Sequence, residues 1–367
     1  MDYIYLFDTT LRDGLQSANQ KDITLLKKQQ YLDEIQKYKF DYTEIGMLDS
    51  LNHNESHELL LNNVNNMILL ALPRTINIQK AIDNNITSLN FLIKSDPDMI
   101  EKVLRKNKEE YLNTCIDVIL LSIKNNIHTI CIMEHFFDSF KKHRSFVLDM
   151  IKKIYDTGIT SITLADTNGG TMPHEIESIL DILSDIIPLH KLGIHAHNDM
   201  EMAVANSIAA VRKGVRLVQG TWNGMGERCG NMNLVSTFCS LILKMNYKCC
   251  LNNMMHTITN SSNIINNIFS INNNNLSYVG TDAFSHKGGL HINALTYYEH
   301  INPQLVGNKS NIILSDMIGT TALVSILGER PPQEFLPIAK SIIALNPTDL
   351  HNELKSQYIL FLENSNQ

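Results

Sequence analysis

Short apolar segments alternate with longer amphipathic segments over the first 225 residues of the chain. The short segments span four to eight residues and many are rich in β-branched side chains, which is typical of buried strands. We predict eight such strands, at Tyr3–Asp8, Tyr42–Gly46, Met67–Leu72, Ser88–Ile93, Thr129–Glu134, Ser161–Asp166, Leu192–His197 and Leu217–Trp222.

The longer segments between these strands have the pattern of helices with one apolar face. They predict helices at Leu25–Tyr38, Tyr111–Ile123, Ser145–Tyr155, His174–Ile186 and Met202–Arg212. Strands that alternate with helices indicate parallel βαβ units, and eight of them favour a (β/α)8 barrel, an α/β fold. An open, doubly wound sheet is the alternative.

Two histidines near the end of the seventh predicted strand are the first chemical signal. His195 and His197 are two residues apart, so on a strand they point the same way, with backbones about 6.6 Å apart at about 3.3 Å per residue. Two imidazoles in this arrangement can hold one divalent metal ion if oxygen ligands complete the site. The alternative is that they form an ordinary polar strand end.

Polar residues also lie at the ends of the other predicted strands. In a (β/α)8 barrel the carboxyl ends of the strands form the active-site mouth. The joint pattern therefore favours a metal-assisted active site more than any one residue does. Besides the two histidines, the residues are Asp8, Arg12, Asp13, Glu44, Glu134, Asp166, Thr167, Thr221 and Asn223.

Composition and charge narrow the class of protein. The chain has 367 residues, of which 44% are hydrophobic and 19% charged, as in a soluble globular enzyme. Its net charge of −7 offers no basic field, so we expect no nucleic-acid partner. No apolar run approaches the length of a transmembrane helix, and a strand-like segment begins at Tyr3, so we expect neither a membrane partner nor a signal peptide. The six cysteines lack metal or disulfide spacing, and we expect a cytoplasmic protein with buried thiols.

Two long motifs resemble one enzyme family. The segment Phe7–Gly14 (FDTTLRDG) resembles the opening motif of the acetyl-CoA-dependent 2-oxo-acid condensing enzymes, which comprise the 2-isopropylmalate, homocitrate and citramalate synthases. The segments His195–Asp199 (HAHND), Ala203–Asn206 (AVAN) and Gly224–Asn231 (GMGERCGN) together resemble the second motif of that family.

Further segments resemble the citramalate synthase branch. They are Glu134–Asp138, Asp166–Glu175, Tyr278–His291 and Tyr298–Pro303, and the resemblance runs from residue 3 to about 320. It implies a Claisen-type condensation of acetyl-CoA with pyruvate that gives (R)-citramalate and CoA, a step of isoleucine and hence branched-chain amino-acid biosynthesis. The alternative within the family is a 2-isopropylmalate synthase that uses 2-oxoisovalerate for leucine biosynthesis.

The resemblance also implies roles for individual residues. Asp13, His195 and His197 would bind Mn²⁺, Mg²⁺ or Zn²⁺, with Asn231 as a nearby or fourth ligand, and the 2-oxo acid would chelate that ion. Arg12 would bind substrate and stabilise the negative charge that develops on the ketone oxygen. The remaining residues that the family pattern marks are Thr167 for the substrate carboxylate, the catalytic acid Glu134 beside the metal, and His291 and Tyr298, which help to remove the methyl proton of acetyl-CoA.

The resemblance further suggests how the chain is organised. We expect a catalytic barrel at 1–255, a post-barrel subdomain at 256–330 that contributes to the active site, and a short helical remnant at 331–367. The remnant is too short to fold as the C-terminal regulatory domain of the family, so we expect a form that lacks it. We also expect a homodimer in which the post-barrel segment reaches a neighbouring barrel. Two other classes stay open: a degenerate relative that acts as a partner subunit, and a metal-dependent aldolase or lyase.

Overall fold

Eight parallel strands close into a barrel in the first of two units of the chain. The computed structural model describes residues 2–17, 23–49, 66–272, 274–287, 291, 294–314, 318–345, 347 and 349–365. It divides into the units Met1–Ile271 and Asn272–Gln367. The strands of the barrel are β1 (Tyr5–Asp8), β2 (Tyr42–Met47), β3 (Met67–Ala71), β4 (Ser88–Lys94), β5 (His128–Glu134), β6 (Ile162–Asp166), β7 (Leu192–Ala196) and β8 (Leu217–Gly220).

The pairing of β1 shows that the barrel is closed. β1 pairs in parallel with β2, where Phe7 lies opposite Tyr42, and with β8, where Phe7 lies opposite Gln219. Every other neighbouring pair of strands is also parallel and consecutive in sequence. The prediction of a (β/α)8 barrel is therefore confirmed, and the open doubly wound sheet is excluded because such a sheet has two free edges.

Helices connect the strands and cover the barrel. In the described part of the first unit they are α1 (Leu25–Ile35), α2 (Thr75–Asp83), α3 (Pro97–Lys102), α4 (Lys108–Lys124), α5 (Phe136–Tyr155), α6 (Pro173–Ser184), α7 (Ala203–Lys213), α8 (Leu234–Leu243) and α9 (Ile258–Phe269). The last of these helices belongs to the first unit because it packs on α1. The rings of Tyr31 and Phe269 lie 5.6 Å apart, and Ser261 donates a hydrogen bond to Glu34. The first unit, which contains the barrel and this helix, extends to residue 271, and the barrel boundary at 255 stays a prediction.

Successive residues of a strand point to opposite faces of the sheet, so every second residue points into the barrel. These inward side chains fill the barrel in layers. Phe7, Ile68, Ile130 and Leu217 form one buried apolar cluster. Two residues further along the strands, Leu70, Ile132 and Ala165 form a second cluster, against which Met47 and Leu92 pack. The second cluster lies nearer the carboxyl ends of the strands and forms the floor beneath the polar residues described below.

The second unit is small and mainly helical in its described part. A short parallel pair, β9 (Ser285–His286) and β10 (Asn311–Ile312), comes first with the single-turn helix α10 (Leu295–Tyr298) between its strands. Three further helices, α11 (Thr320–Leu327), α12 (Phe335–Leu345) and α13 (Leu350–Ser365), share a core that includes Leu323, Phe335 and Leu354. The subdivision of this region at residue 330 stays a prediction. Among the described residues, no helix has the length and apolarity needed to cross a membrane.

Candidate active site

A tight turn after β1 directs Arg12 and Asp13 toward the barrel mouth. The carbonyl of Thr9 accepts hydrogen bonds from the backbone N–H groups of Arg12, Asp13 and Gly14, at 3.2, 2.9 and 3.2 Å. The hydroxyl of Thr10 accepts a hydrogen bond of 2.8 Å from the backbone of Trp222 after β8. The turn is therefore fixed both by its own backbone and by the neighbouring strand.

Asp13 meets the two histidines at this mouth. Asp13 Oδ2 lies 3.3 Å from His195 Nε2 and 3.8 Å from His197 Nε2, and the two imidazole nitrogens are 3.4 Å apart. Ligand atoms that share one ion at about 2.1 Å are at most about 4.2 Å apart. All three distances satisfy this limit, and all three residues are buried. Within the described residues, the spacing and donor types thus fit one divalent metal ion.

Asn231 pairs with His197 and carries a further oxygen atom. It forms an isolated antiparallel bridge with His197, and its amide Nδ2 donates to the carbonyl of Met225 at 3.1 Å. Its Oδ1 is buried and has no hydrogen-bond partner in the described part of the chain, as is also true of Asp13 Oδ2. Buried acceptors are costly when unpaired, so both oxygens suit a cation. Gly226 is required beside this amide, because a Cβ there would lie 2.2 Å from Asn231 Nδ2.

The charge of the centre follows from its burial and its neighbours. Burial raises the pKa of Asp13, but the adjacent Arg12 guanidinium and the two imidazoles outweigh burial and hold that pKa well below its ordinary range. Burial, together with the neighbouring His195, lowers the pKa of His197 to about 4. At neutral pH the centre therefore offers a carboxylate and an uncharged His197, which are the forms that bind metals.

A second buried carboxylate holds Arg12. Glu44 on β2 accepts hydrogen bonds from Arg12 Nε at 2.6 Å, Thr9 Oγ1 at 2.5 Å and Asn90 Nδ2 at 2.9 Å. Arg12 Nη1 also donates to Asp13 Oδ1 at 2.7 Å. The third guanidinium nitrogen, Nη2, is buried and has no partner among the described residues. Arg12 is thus fixed at two of its nitrogens with a third left to donate.

A cavity of about 410 Å³ opens above these groups. Its polar wall includes Arg12, Asp13, Glu134, His195 and His197, and its apolar floor is formed by the second barrel cluster. The lining also contains Leu11, Gln16, Lys28, Ile45, Gly46, Met47, Leu70, Leu92, Ile132, Ala165, Thr167, Glu227 and Arg228. An apolar floor with a few convergent polar groups is typical of a small-molecule site.

Glu134 and Thr167 lie on one side of this cavity. Glu134 forms an ion pair with Lys94, the last residue of β4, which lies opposite it in the strand register. Thr167 Oγ1 accepts a hydrogen bond of 2.8 Å from the backbone N–H of His135. Since the hydroxyl is already used as an acceptor, its proton is available to a further acceptor.

His291 and Tyr298 lie in the second unit and contact each other. Their rings stack with centroids 3.7 Å apart and an interplanar angle of 16°. Both side chains are exposed in this chain, Tyr298 to 42%. Of the residues that the sequence singled out, the structure thus brings six to one cavity of the first unit: Asp13, His195, His197, Arg12, Glu134 and Thr167. Within the second unit it places His291 against Tyr298.

Arg228, which lines the cavity, and Lys94, which pairs with the lining residue Glu134, were not assigned from the sequence. Lys94 pairs with Glu134, and the only signal for it is that both end neighbouring strands. Arg228 donates two hydrogen bonds to Asp199, at 2.7 and 2.9 Å, and one to the carbonyl of Thr167 at 2.9 Å. Arg228 and Asp199 both lie within the second sequence motif, so their pairing could have been anticipated, but the contact with Thr167 could not.

Comparison with known proteins places these features in context. The HMGL-like family model matches residues 3–265. The chain is 34% identical over 347 residues to the (R)-citramalate synthase of Aquifex aeolicus, with 89% of this chain and 65% of that protein covered. It is 31% identical over 341 residues to the 2-isopropylmalate synthase of Methanocaldococcus jannaschii, with 89% and 64% covered. The chain therefore spans just under two thirds of the length of these relatives.

The barrel is also similar to solved structures. The crystal structure of the HMG-CoA lyase from Bacillus subtilis superposes with a TM-score of 0.64 at 19% sequence identity and covers 74% of this chain and 96% of that one. At this identity the similarity concerns the fold alone.

Proposed function

Because the chain belongs to the HMGL-like family, we propose that it condenses acetyl-CoA with pyruvate to form (R)-citramalate and free CoA. The observation that carries the proposal is the group of Asp13, His195 and His197 beside Arg12, above an apolar floor in one cavity. The similarity to (R)-citramalate synthases over most of this chain supports the choice of reaction.

The metal would be held by Asp13, His195 and His197, with the Asn231 oxygen as a fourth donor. Two imidazoles and two oxygens suit Mn²⁺, Mg²⁺ or Zn²⁺. A bound ion would supply Lewis-acid polarisation of the substrate ketone. The orphaned oxygens of Asp13 and Asn231 support this assignment.

Arg12 and Thr167 would bind and orient the 2-oxo acid. Arg12 Nη2 is buried and none of the described residues accepts a hydrogen bond from it, so it would donate to the ketone oxygen as negative charge develops there. Thr167 has a hydroxyl proton left for the substrate carboxylate, because its oxygen already accepts from His135. Glu134, which lines the same cavity, would be the catalytic acid beside the ketone.

The apolar floor supports pyruvate over larger 2-oxo acids. Leu70, Leu92, Ile132 and Ala165 line the cavity and pack on one another. They would form the apolar surface that the methyl group of pyruvate contacts. One methylene more or less in such a pocket changes the activation free energy by about 1–3 kcal/mol.

Carbon–carbon bond formation begins with the methyl group of acetyl-CoA. A base must remove a proton from this weak carbon acid, and His291 with Tyr298 would supply that function. The enolate carbon attacks the ketone carbon of pyruvate, whose oxygen receives the electron pair and then a proton. Water cleaves the thioester of the product, so the acyl carbon becomes a carboxylate and CoA leaves as a thiol. We further propose a cytoplasmic homodimer that acts in isoleucine biosynthesis.

The test is a panel of 2-oxo acids with acetyl-CoA and Mn²⁺ or Mg²⁺, with release of the CoA thiol as the readout. We expect thiol release with pyruvate, (R)-citramalate as the product, and much slower release with 2-oxoisovalerate. Equal or faster release with 2-oxoisovalerate would make the protein a 2-isopropylmalate synthase. Cleavage of HMG-CoA without any condensation would identify a lyase, and inactivity with every substrate would indicate a non-catalytic relative.

A further inference from the structure

A buried histidine–glutamate pair lies directly behind the exposed rings of His291 and Tyr298. His286 Nε2 lies 3.3 Å from Glu299 Oε1, and the hydroxyl of Ser310 donates to the same carboxylate oxygen at 2.5 Å. The side chains of His286 and Glu299 are each only 9% exposed. The roles proposed above do not use this pair.

The pair is anchored in the backbone of the second unit. His286 ends β9, lies opposite Ile312 on β10, and its carbonyl accepts a hydrogen bond of 2.8 Å from the N–H of Ile313. Glu299 follows α10 directly and its N–H donates to the carbonyl of Leu295 at 2.9 Å. The carboxylate of Glu299 therefore ties the end of a single-turn helix to a strand pair.

Each member of the pair is connected to the exposed rings, Glu299 through the backbone and His286 through a ring contact. Glu299 is the neighbour in sequence of Tyr298, whose ring stacks on His291 at 3.7 Å. The ring of His286 meets His291 edge-on, with centroids 5.9 Å apart. Movement of the Glu299 carboxylate would therefore displace both side chains that contact His291.

We propose that Glu299, through His286 and Ser310, is the positioning residue that holds His291 and Tyr298 in their reactive arrangement. A four-residue helix has little stability of its own. Without the carboxylate, α10 and its terminal tyrosine lose their attachment to β9 and β10. A displacement of about 1 Å in a reacting group can cost about 10²-fold in rate. This inference rests on the proposed function, since it assigns the positioning role to residues that support proton removal.

The test compares three substitutions in the full-length chain. Glu299→Leu keeps the volume but removes both hydrogen-bond acceptors, whereas Glu299→Gln keeps one acceptor oxygen. Glu334→Leu is the matched control, because Glu334 is an exposed glutamate of the same unit. We expect Glu299→Leu to lower kcat by about 30- to 100-fold with the KM for pyruvate within about twofold, Glu299→Gln to lie between it and the parent, and Glu334→Leu to equal the parent. Proton exchange from the methyl group of acetyl-CoA in D₂O should fall in parallel with kcat.

A second readout does not depend on activity. In protein with ¹⁵N-labelled histidine, Glu299→Leu should move the imidazole signals of both His286 and His291, and Glu334→Leu should move neither. If the parent is active and Glu299→Leu has the same kcat, the inference is overturned. An unmoved His291 signal in Glu299→Leu would overturn it too. If the parent is inactive with every 2-oxo acid, the proposed function fails, and the His291 signal still decides the positioning role. If Glu299→Leu does not fold, a folded Glu299→Gln with the kcat of the parent would reduce Glu299 to a purely structural residue.

Discussion

Replacement of Glu44 by glutamine is the sharpest single perturbation of the site. The side chain is fully buried, and its two oxygens accept hydrogen bonds from Thr9, Arg12 and Asn90. Glutamine has the same shape but only one accepting oxygen and no charge. At least one of the three donors must then face an N–H group, and Arg12 keeps Asp13 as its only carboxylate partner among the described residues.

The magnitude follows from the burial of the pair. Loss of one partner of a buried ion pair typically costs about 3–5 kcal/mol, because the other charge is left uncompensated. Arg12 retains Asp13, so we expect the lower end, about 3 kcal/mol in the free energy of unfolding. For a unit of this size that loss lowers Tm by about 6–10 °C. Because Arg12 would also lose the contact that fixes its Nε, we expect kcat to fall by about 10²-fold or more.

Thermal unfolding and the thiol-release assay measure the two effects separately. The matched control is Asp156→Asn, which removes a carboxylate from the exposed pair with Lys152 and should change stability by less than about 1 kcal/mol. A Glu44→Gln protein with the Tm and kcat of the parent would refute the reasoning, since it would mean that neither the charge nor the acceptor geometry of Glu44 matters. A lower Tm with unchanged kcat would refute only the link from Glu44 to Arg12.

Further predictions concern the metal, the substrate and pH. His195→Ala should abolish both activity and metal retention measured by elemental analysis, whereas the exposed His190→Ala should preserve both; an active, metal-loaded His195→Ala protein would contradict the ligand assignment. Ile132→Val should raise kcat/KM for 2-oxobutanoate relative to pyruvate by about tenfold, because it frees roughly one methylene of space in the cavity, and an unchanged ratio would exclude Ile132 from the specificity pocket. Burial raises the pKa of Asp8 to about 6 despite hydrogen bonds from Thr10 and Tyr31. The contribution of protonated Asp8 to the free energy of unfolding, about 3 kcal/mol, is therefore fully present below about pH 4 and is lost as pH rises through 6. Asp8→Asn should therefore gain about that much relative to the parent between pH 4 and 7.5 in denaturation experiments, and a pH-independent difference between the two proteins would contradict this.

Much of the barrel could be predicted because its signals are local. Each strand is a short apolar segment in which every second side chain points into the barrel, as Ile130 and Ile132 do on β5. The common orientation of His195 and His197 likewise follows from the period of a single strand. The closure of the sheet was an inference from the number of strands, and the pairing of β1 with β8 confirms it.

The contacts that tune the site depend on the tertiary structure. Lys94 meets Glu134, 40 residues away, because the register of β4 and β5 sets the two residues opposite each other. Glu44 on β2 meets Asn90 on β4, 46 residues away, although these two strands do not pair with each other. Asp13 lies 3.3 Å from His195 because the barrel closes β1 against β8 and the turn after β1 is bound to Trp222.

The sequence by itself determined which residue types stand at the ends of the strands, since a strand and its side-chain direction are properties of a few adjacent residues. The tertiary structure decided which of those side chains touch, which lose water and which keep a free donor such as Arg12 Nη2. Those outcomes depend on distances between segments far apart in the chain, and local sequence patterns carry no information on such distances.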